Sequence, residues 1–221
     1  MTSVSDTVWT PYRLGPHTLR NRIVKAATFE GVMPGGRVSE ELVAFHRAVA
    51  RGGAALTTVA YCAVAPDGRV HRHTLVMEPD VVDDLRVLTD AVHEEGALVA
   101  AQLGHAGLVA NTRSNRMPTT APSTRRSGPA MALVRGASRA RLDDVVDRFR
   151  RAATVAVDAG FDVLEIHLGH GYLLSSFLSP DLNRRRDDYG GDIEARSRFP
   201  RRVVAAVRDQ VGDAVAVTAK L

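Results

Sequence analysis

The sequence predicts an α/β fold, a (β/α)8 barrel of the TIM type, of which 221 residues carry about five strands. Three observations predict it. Short apolar runs without polar–apolar alternation, at 54–60, 97–103 and 163–166, read as strands buried on both faces, the mark of a parallel sheet. Between them lie stretches with apolar residues at helical spacing, closed by glycine, so strand and helix alternate. Finally, His167, His170 and Tyr172 cluster where an apolar strand gives way to Gly169 and Gly171, and barrel enzymes carry their chemistry at that end of a strand.

The elements follow in order. Val8 to Leu19 reads as a short hairpin turning at Leu14–Gly15–Pro16, and Ile23–Ala27 as a strand ending near Thr28 and Phe29. After the Gly35–Gly36 turn, Ser39 with Glu41 and Leu42 starts a helix whose apolar face is Leu42, Phe45, Val49 and Ala50; Gly52–Gly53 stops it. Ala54–Ala60 is the second buried strand, followed by a loop with Pro66, Asp67 and Gly68. Pro79 opens a helix with Val82, Leu85, Leu88, Thr89 and Val92 on one face, closed by Gly96, and Ala97–Leu103 is the third strand.

From Gly104 to Arg141 no long periodic element appears, and a connection of that length inside a compact domain implies service to a site. Leu142, Val145, Val146, Phe149, Ala152 and Ala156 then form the inward face of a helix ended at Gly160. The fourth strand, a helix through Phe199–Val211 and the strand Ala214–Leu221 complete a single partial domain, 1–221.

Apolar residues make up 45% and charged residues 24%, the balance of an ordinary globular protein. No apolar run approaches the roughly 20 residues of a membrane span, and residues 1–15 lack a basic start followed by an apolar core. Cys62 is the single cysteine, which excludes an internal disulfide and a cysteine-held iron–sulfur cluster within these residues. A cytoplasmic home and no membrane partner are the expectations. Net charge is +4, with Lys25 and Lys220 the only lysines; the arginine clusters are short and interrupted by acids, so no nucleic-acid partner is expected.

By itself, H-x-x-H-x-Y also describes two satisfied histidines and a core tyrosine. The longer string decides. His167, His170, Gly171, Tyr172, Leu173, Leu174, Phe177, Leu178, Ser179, Pro180, Asn183, Arg185, Asp187, Tyr189, Gly190 and Gly191, then Arg196, Arg198 and Phe199, resemble the old yellow enzyme family of NADH:flavin oxidoreductases, the FMN-dependent ene-reductases. Asn21–Thr28 resembles the family's first barrel strand, 101–107 (AQLGHAG) its third-strand motif, and Ala121–Pro122–Ser123 its long loop.

The resemblance implies roles. His167 and His170 hold the substrate carbonyl oxygen, and Tyr172 is the proton donor. Ala27 and Thr28 lie beside the flavin, Gln102 meets its pyrimidine edge, and Lys220 stands at its N1 and O2 side. An amide suits that edge because it offers both a donor and an acceptor. Lys220 replaces the family's usual arginine, keeping charge and losing the planar fork. Phe29 stands where the family commonly has a small Thr or Cys, leaving Thr28 as a substitute, and Tyr61 where it often has a small residue. His105, in a loop, is expected to be solvated.

The implied activity is reduction of α,β-unsaturated carbonyl compounds by NADH or NADPH through FMN, with a small enone-type molecule as substrate. A non-catalytic or partner-dependent barrel fragment is the alternative. A metal-dependent hydrolase using His167, His170 and Asp181 lacks any further ligand pattern, so no metal is expected. Five strands leave strands six to eight and the phosphate site after strands seven and eight unsupplied, so a homo-oligomer or a complementing C-terminal half is expected to complete the barrel.

Overall fold

The computed structural model describes residues 7–221; the leader segment judged absent from residues 1–15 rests partly on residues outside that span. Five parallel strands form the centre: β1 (Val24–Lys25), β2 (Leu56–Ala63), β3 (Leu98–Gly104), β4 (Val163–His167) and β5 (Ala216–Lys220). They pair in chain order, β1 to β5, with both outer strands open, as expected of a partial barrel. β1 is shorter than the expected Ile23–Ala27, because the chain leaves the sheet after Lys25 and runs on as the cavity wall.

Each of the strands β1 to β4 is followed by helix. Ser39 caps α1 (Glu40–Arg51) by accepting from the Leu42 amide, and a 3-10 turn at Pro79–Val81 leads into α2 (Val82–Glu94). α3 (Arg139–Asp158), α4 (Leu173–Leu178) and α5 (Ile193–Val211) follow. α5 begins six residues before the expected Phe199: Asp192 caps it on the Ala195 amide, and Pro200 lies inside the helix rather than at its start. The outward side chains of the strands, among them Val99, Ala101, Leu103, Leu164 and Ile166, pack with Leu85, Leu88, Leu142, Phe149 and Phe199 of the helices into the main core.

The face of α1 differs from its apolar pattern. Phe45 is 41% exposed and His46 is fully buried in its place. His46 Nδ1 meets Thr57 Oγ1 at 2.7 Å, and its other nitrogen lies 3.4 Å from the buried Glu30 carboxylate, which also takes the Lys25 ammonium at 2.6 Å. Partners of this kind make a buried imidazole tolerable where apolar spacing alone would place a hydrocarbon.

The inward side chains form layers, as the two-residue period of strands requires. Leu56, Ala100, Val163 and Ala216 make the lowest layer, sealed by Leu19 from the hairpin Tyr12–Leu14/His17–Leu19. The hairpin turn seats on β5: a Cβ at Gly15 (φ +58°) would stand 3.1 Å from that of Ala216. Above lie Gln102 and Glu165, paired in register and bonded at 2.8 Å; at the top, His167 is in register with Lys220.

The segment between β3 and α3 holds only short elements: a helix at Thr112–Asn115 and strands at Thr120–Ala121, Arg125–Ser127 and Ala132–Gly136. Arg185 pins it by donating to the carbonyls of Pro122 (2.9 Å) and Ala137 (2.6 Å) while paired with Asp187. Asn183 donates to the carbonyls of Phe177 and Tyr189. Much of the long motif is therefore scaffold. No helix among the described residues is long and apolar enough to cross a membrane.

Candidate active site

Every barrel strand delivers residues at its C-terminal end. Ala27, Thr28 and Phe29 follow β1; Tyr61 lies late in β2, where a register shift against β3 between Val59 and Cys62 re-aims the side chains. Gln102 comes from β3, His167 from the end of β4, His170 and Tyr172 from the turn after it, and Lys220 from the end of β5. These residues, with Ala60, Val70, His71 and Thr74, line one cavity of about 540 Å³. A larger cleft of about 1010 Å³ lies between residues 117–138 and the start of α3; none of the predicted residues borders it, and Asp67, Arg141 and Arg148 on its wall are engaged in ion pairs.

The two histidines touch each other: His167 Nε2 and His170 Nδ1 are 3.1 Å apart. The Gly169 amide donates to His167 Nδ1 at 3.4 Å. That nitrogen therefore carries a lone pair, the His167 proton sits on Nε2 and points at His170 Nδ1, and the His170 proton is left on its own Nε2. Burial, then the neighbouring His170 and the Lys220 charge, lower His167 to about 4, so it is neutral at neutral pH. His170 adopts φ +60° and Gly171 φ +69°, the sharp turn that folds the loop back over the strand end.

Tyr172 packs edge-on against His167 (ring centroids 4.7 Å) and against Tyr61 (5.1 Å). Burial raises its phenol above the ordinary value, which keeps the proton on the oxygen, as a donor requires. Tyr61 is buried and its hydroxyl donates to the Gly68 carbonyl at 2.8 Å, so it is a wall rather than a free acid. A Cβ on Gly104 would clash with the edge of the Tyr61 ring, 3.1 Å from its Cδ2 and closer still to Cε2.

Three features lay outside sequence reasoning. His71 and Thr74 reach the cavity from the loop after β2, a stretch with no period. Glu165, a lone acid between Leu164 and Ile166, was a visible signal of an inward barrel position. His105, expected to be solvated, is 1% exposed: its Nδ1 accepts from the Gly107 amide at 3.1 Å and its Nε2 faces Asp67 at 3.4 Å.

The donor set fits the ring end of FMN. Gln102 gives one amide N–H to Glu165 and keeps its oxygen and second N–H, matching an alternating donor–acceptor edge. Lys220 spends one N–H on the Ala27 carbonyl (3.0 Å) and keeps two. Phe29, 64% exposed, supplies no hydrogen bond, leaving Thr28 as the hydroxyl beside it. No arginine stands among the cavity-lining residues to receive a phosphate.

A model of the NADH:flavin oxidoreductase / NADH oxidase family matches residues 7–221. The chain is 66% identical over 219 residues to a 4,4'-dithiodibutanoate disulfide reductase of Rhodococcus erythropolis, covering 99% of this chain and 54% of that protein. It is 40% identical over 205 residues to a metal reductase of Desulforamulus reducens, covering 93% of this chain and 31% of that one. Among solved structures, Old Yellow Enzyme from Pichia sp. superposes with a TM-score of 0.89 at 26% identity, over 96% of this chain and 59% of that chain. Morphinone reductase in complex with tetrahydroNAD gives 0.87 at 28%, over 96% and 63%. The chain thus spans about half the length of the R. erythropolis relative and about a third of the D. reducens one.

Proposed function

The chain belongs to the NADH:flavin oxidoreductase / NADH oxidase family, whose cofactor is FMN and whose reductant is NAD(P)H, and from that premise we propose that it reduces a small activated acceptor at the cavity beneath His167, His170 and Tyr172. One observation carries the reading: a hydrogen-bonded histidine pair, with His167 held neutral, and a protonated tyrosine converge on one cavity with Gln102 and Lys220. FMN, when bound, takes two electrons from the nicotinamide and passes them to the acceptor as hydride.

This chain's residues do the rest. Gln102 and Lys220 orient the ring, with Ala27, Thr28 and Tyr61 as its walls. Lys220 also places positive charge where reduction adds negative charge. The Nε2–H of His167 turns from His170 Nδ1 and, with the Nε2–H of His170, meets the carbonyl oxygen of an α,β-unsaturated compound to stabilise the charge that develops there. Tyr172 delivers the proton to the α-carbon while the β-carbon receives hydride.

The 66% identity to a disulfide reductase favours a second reading, in which the acceptor is an organic disulfide. A hydride equivalent, two electrons and one proton, together with a second proton from Tyr172 then converts the S–S bond to two thiols, while the histidine N–H groups hydrogen-bond the charge that develops on sulfur. Anaerobic stopped-flow separates the readings: protein reduced with NADH is mixed with 2-cyclohexenone or with 4,4'-dithiodibutanoate. Fast reoxidation by the enone supports the first reading, reoxidation by the disulfide alone supports the second, and failure with both rejects the site.

A further inference from the structure

Three imidazoles and one ammonium line the cavity, and no carboxylate does. His167, His170 and Lys220 have roles in the reading above; His71 has none. It stands at the outer mouth, where Phe29 and His71 also border a neighbouring cavity of about 510 Å³ formed by residues 31–34, Ser39, Glu41 and His73. Its ring meets Phe29 edge-on, with centroids 5.5 Å apart. Thr74 holds the backbone from both sides: its Oγ1 accepts from the His71 amide at 3.2 Å, and its amide donates to the His71 carbonyl at 2.9 Å.

The tautomer of His71 is also set. The His73 backbone N–H donates to its Nδ1 at 3.2 Å, so the lone pair lies there and the neutral ring carries its proton on Nε2. Burial, then the adjacent His73, hold its pKa below the ordinary value. Among the described residues, Nε2–H finds no acceptor. A fixed, unspent donor at the mouth of a cavity free of acids is matched by an anion, because hydrogen bonds to ionised acceptors are about twice as strong as neutral ones.

We propose that His71 receives a carboxylate at the end of the substrate remote from the reacting bond, so that the site selects acids over their neutral esters. This rests on the reading that His167 and His170 receive the reacting end. Both ends of such a molecule then lie on donors in one cavity, and the reducible bond is held between them over the ring.

The test uses FMN-loaded protein of its natural length and two ligands, 3-(4-hydroxyphenyl)propanoate and its methyl ester, titrated by calorimetry. The phenol end probes the histidine pair and the flexible tail probes His71. The acid is expected to bind about 10-fold or more tighter than the ester, the worth of one hydrogen bond to a charged group. His71→Leu should bring the ratio to about one, and His71→Gln, which keeps an N–H, should restore most of it. Equal binding of acid and ester to the unaltered protein overturns this proposal and leaves the phenol contact standing. An undiminished ratio in His71→Leu overturns it too. Binding of neither ligand overturns the histidine-pair reading and this proposal with it.

Discussion

The Lys220 ammonium donates to the carbonyl of Ala27 at 3.0 Å, linking the last barrel strand to the exit of the first across the mouth of the cavity. The two strands share no backbone pairing. One side chain therefore ties together the two ends of an open sheet, at the point where the flavin edge is expected.

Replacing that side chain should be felt in binding and in potential. Lys220→Met is expected to weaken FMN by about 10-fold, the value of a charge-assisted hydrogen bond, and to lower the bound flavin's reduction potential by about 30 mV, the two-electron equivalent. Lys220→Arg should keep most of both. Fluorescence titration and a dye-coupled redox titration measure the pair; an unchanged potential in Lys220→Met removes the lysine from the ring.

His167 predicts a pH dependence of stability. Its folded value of about 4 lies below the ordinary 6.5, so in acid the unfolded chain takes up a proton before the folded one does. Stability is unaffected by this group above 6.5 and falls as pH drops from there to about 4, by roughly 3 kcal/mol in total. Urea midpoints at pH 7 and pH 4.5 should differ less in His167→Asn than in the unaltered protein. Parallel pH slopes would mean the imidazole is not held neutral.

Tyr172→Phe should slow reoxidation by an enone about 10²- to 10⁴-fold, the usual worth of general acid help. Reduction by nicotinamide involves no protonation of the substrate carbon and should change little. Equal losses in both half-reactions, followed by stopped-flow absorbance, would make the tyrosine a packing residue.

Gly104 and Tyr61 form a packing pair that can be tested without cofactor. Gly104→Ala drives a methyl against the edge of the aromatic ring and should lower stability by about 1–3 kcal/mol, the cost of overpacking. Combining it with Tyr61→Ala should return part of that loss, because the ring that blocks the methyl is gone. Additive melting-temperature shifts in the double variant would argue that the two residues do not collide.

The open outer strands predict self-association. β1 and β5 expose unpaired backbone, and Val24 on β1 is 46% exposed, a combination that invites edge-to-edge pairing. Residues 1–221 expressed alone should sediment as oligomers and hold FMN weakly, since the cavity lacks a phosphate cradle. A monomer with tight, stoichiometric flavin would show that five strands suffice.

Strand–helix alternation was legible because buried parallel strands are apolar throughout and helices repeat on one face; α3 kept every apolar position assigned to it. That the site residues would share one cavity was legible through the string from His167 onward and the strand-end placement of Gln102 and Lys220. What escaped depended on contacts distant in sequence. His46 is buried because Glu30 and Thr57 supply its partners, and no spacing rule reports partners. His105 belongs with Asp67 for the same reason. α5 was expected over Phe199–Val211, whereas Asp192 caps it and its first turn starts at Ile193. His71 sits in a loop whose shape comes from its own turn hydrogen bonds, which composition does not reveal.

The left-handed backbone at His170 restricts what can be engineered there. At φ +60° glycine, asparagine and aspartate are accommodated, whereas valine, isoleucine and threonine clash through their branched Cβ. A saturation library at position 170 will thus be sorted first by main-chain geometry and only then by chemistry. Asparagine is the one replacement that satisfies both, since it tolerates the turn and still presents an N–H to the cavity. Retuning this protein toward other acceptors has a narrow door at position 170 and a wide one at position 71.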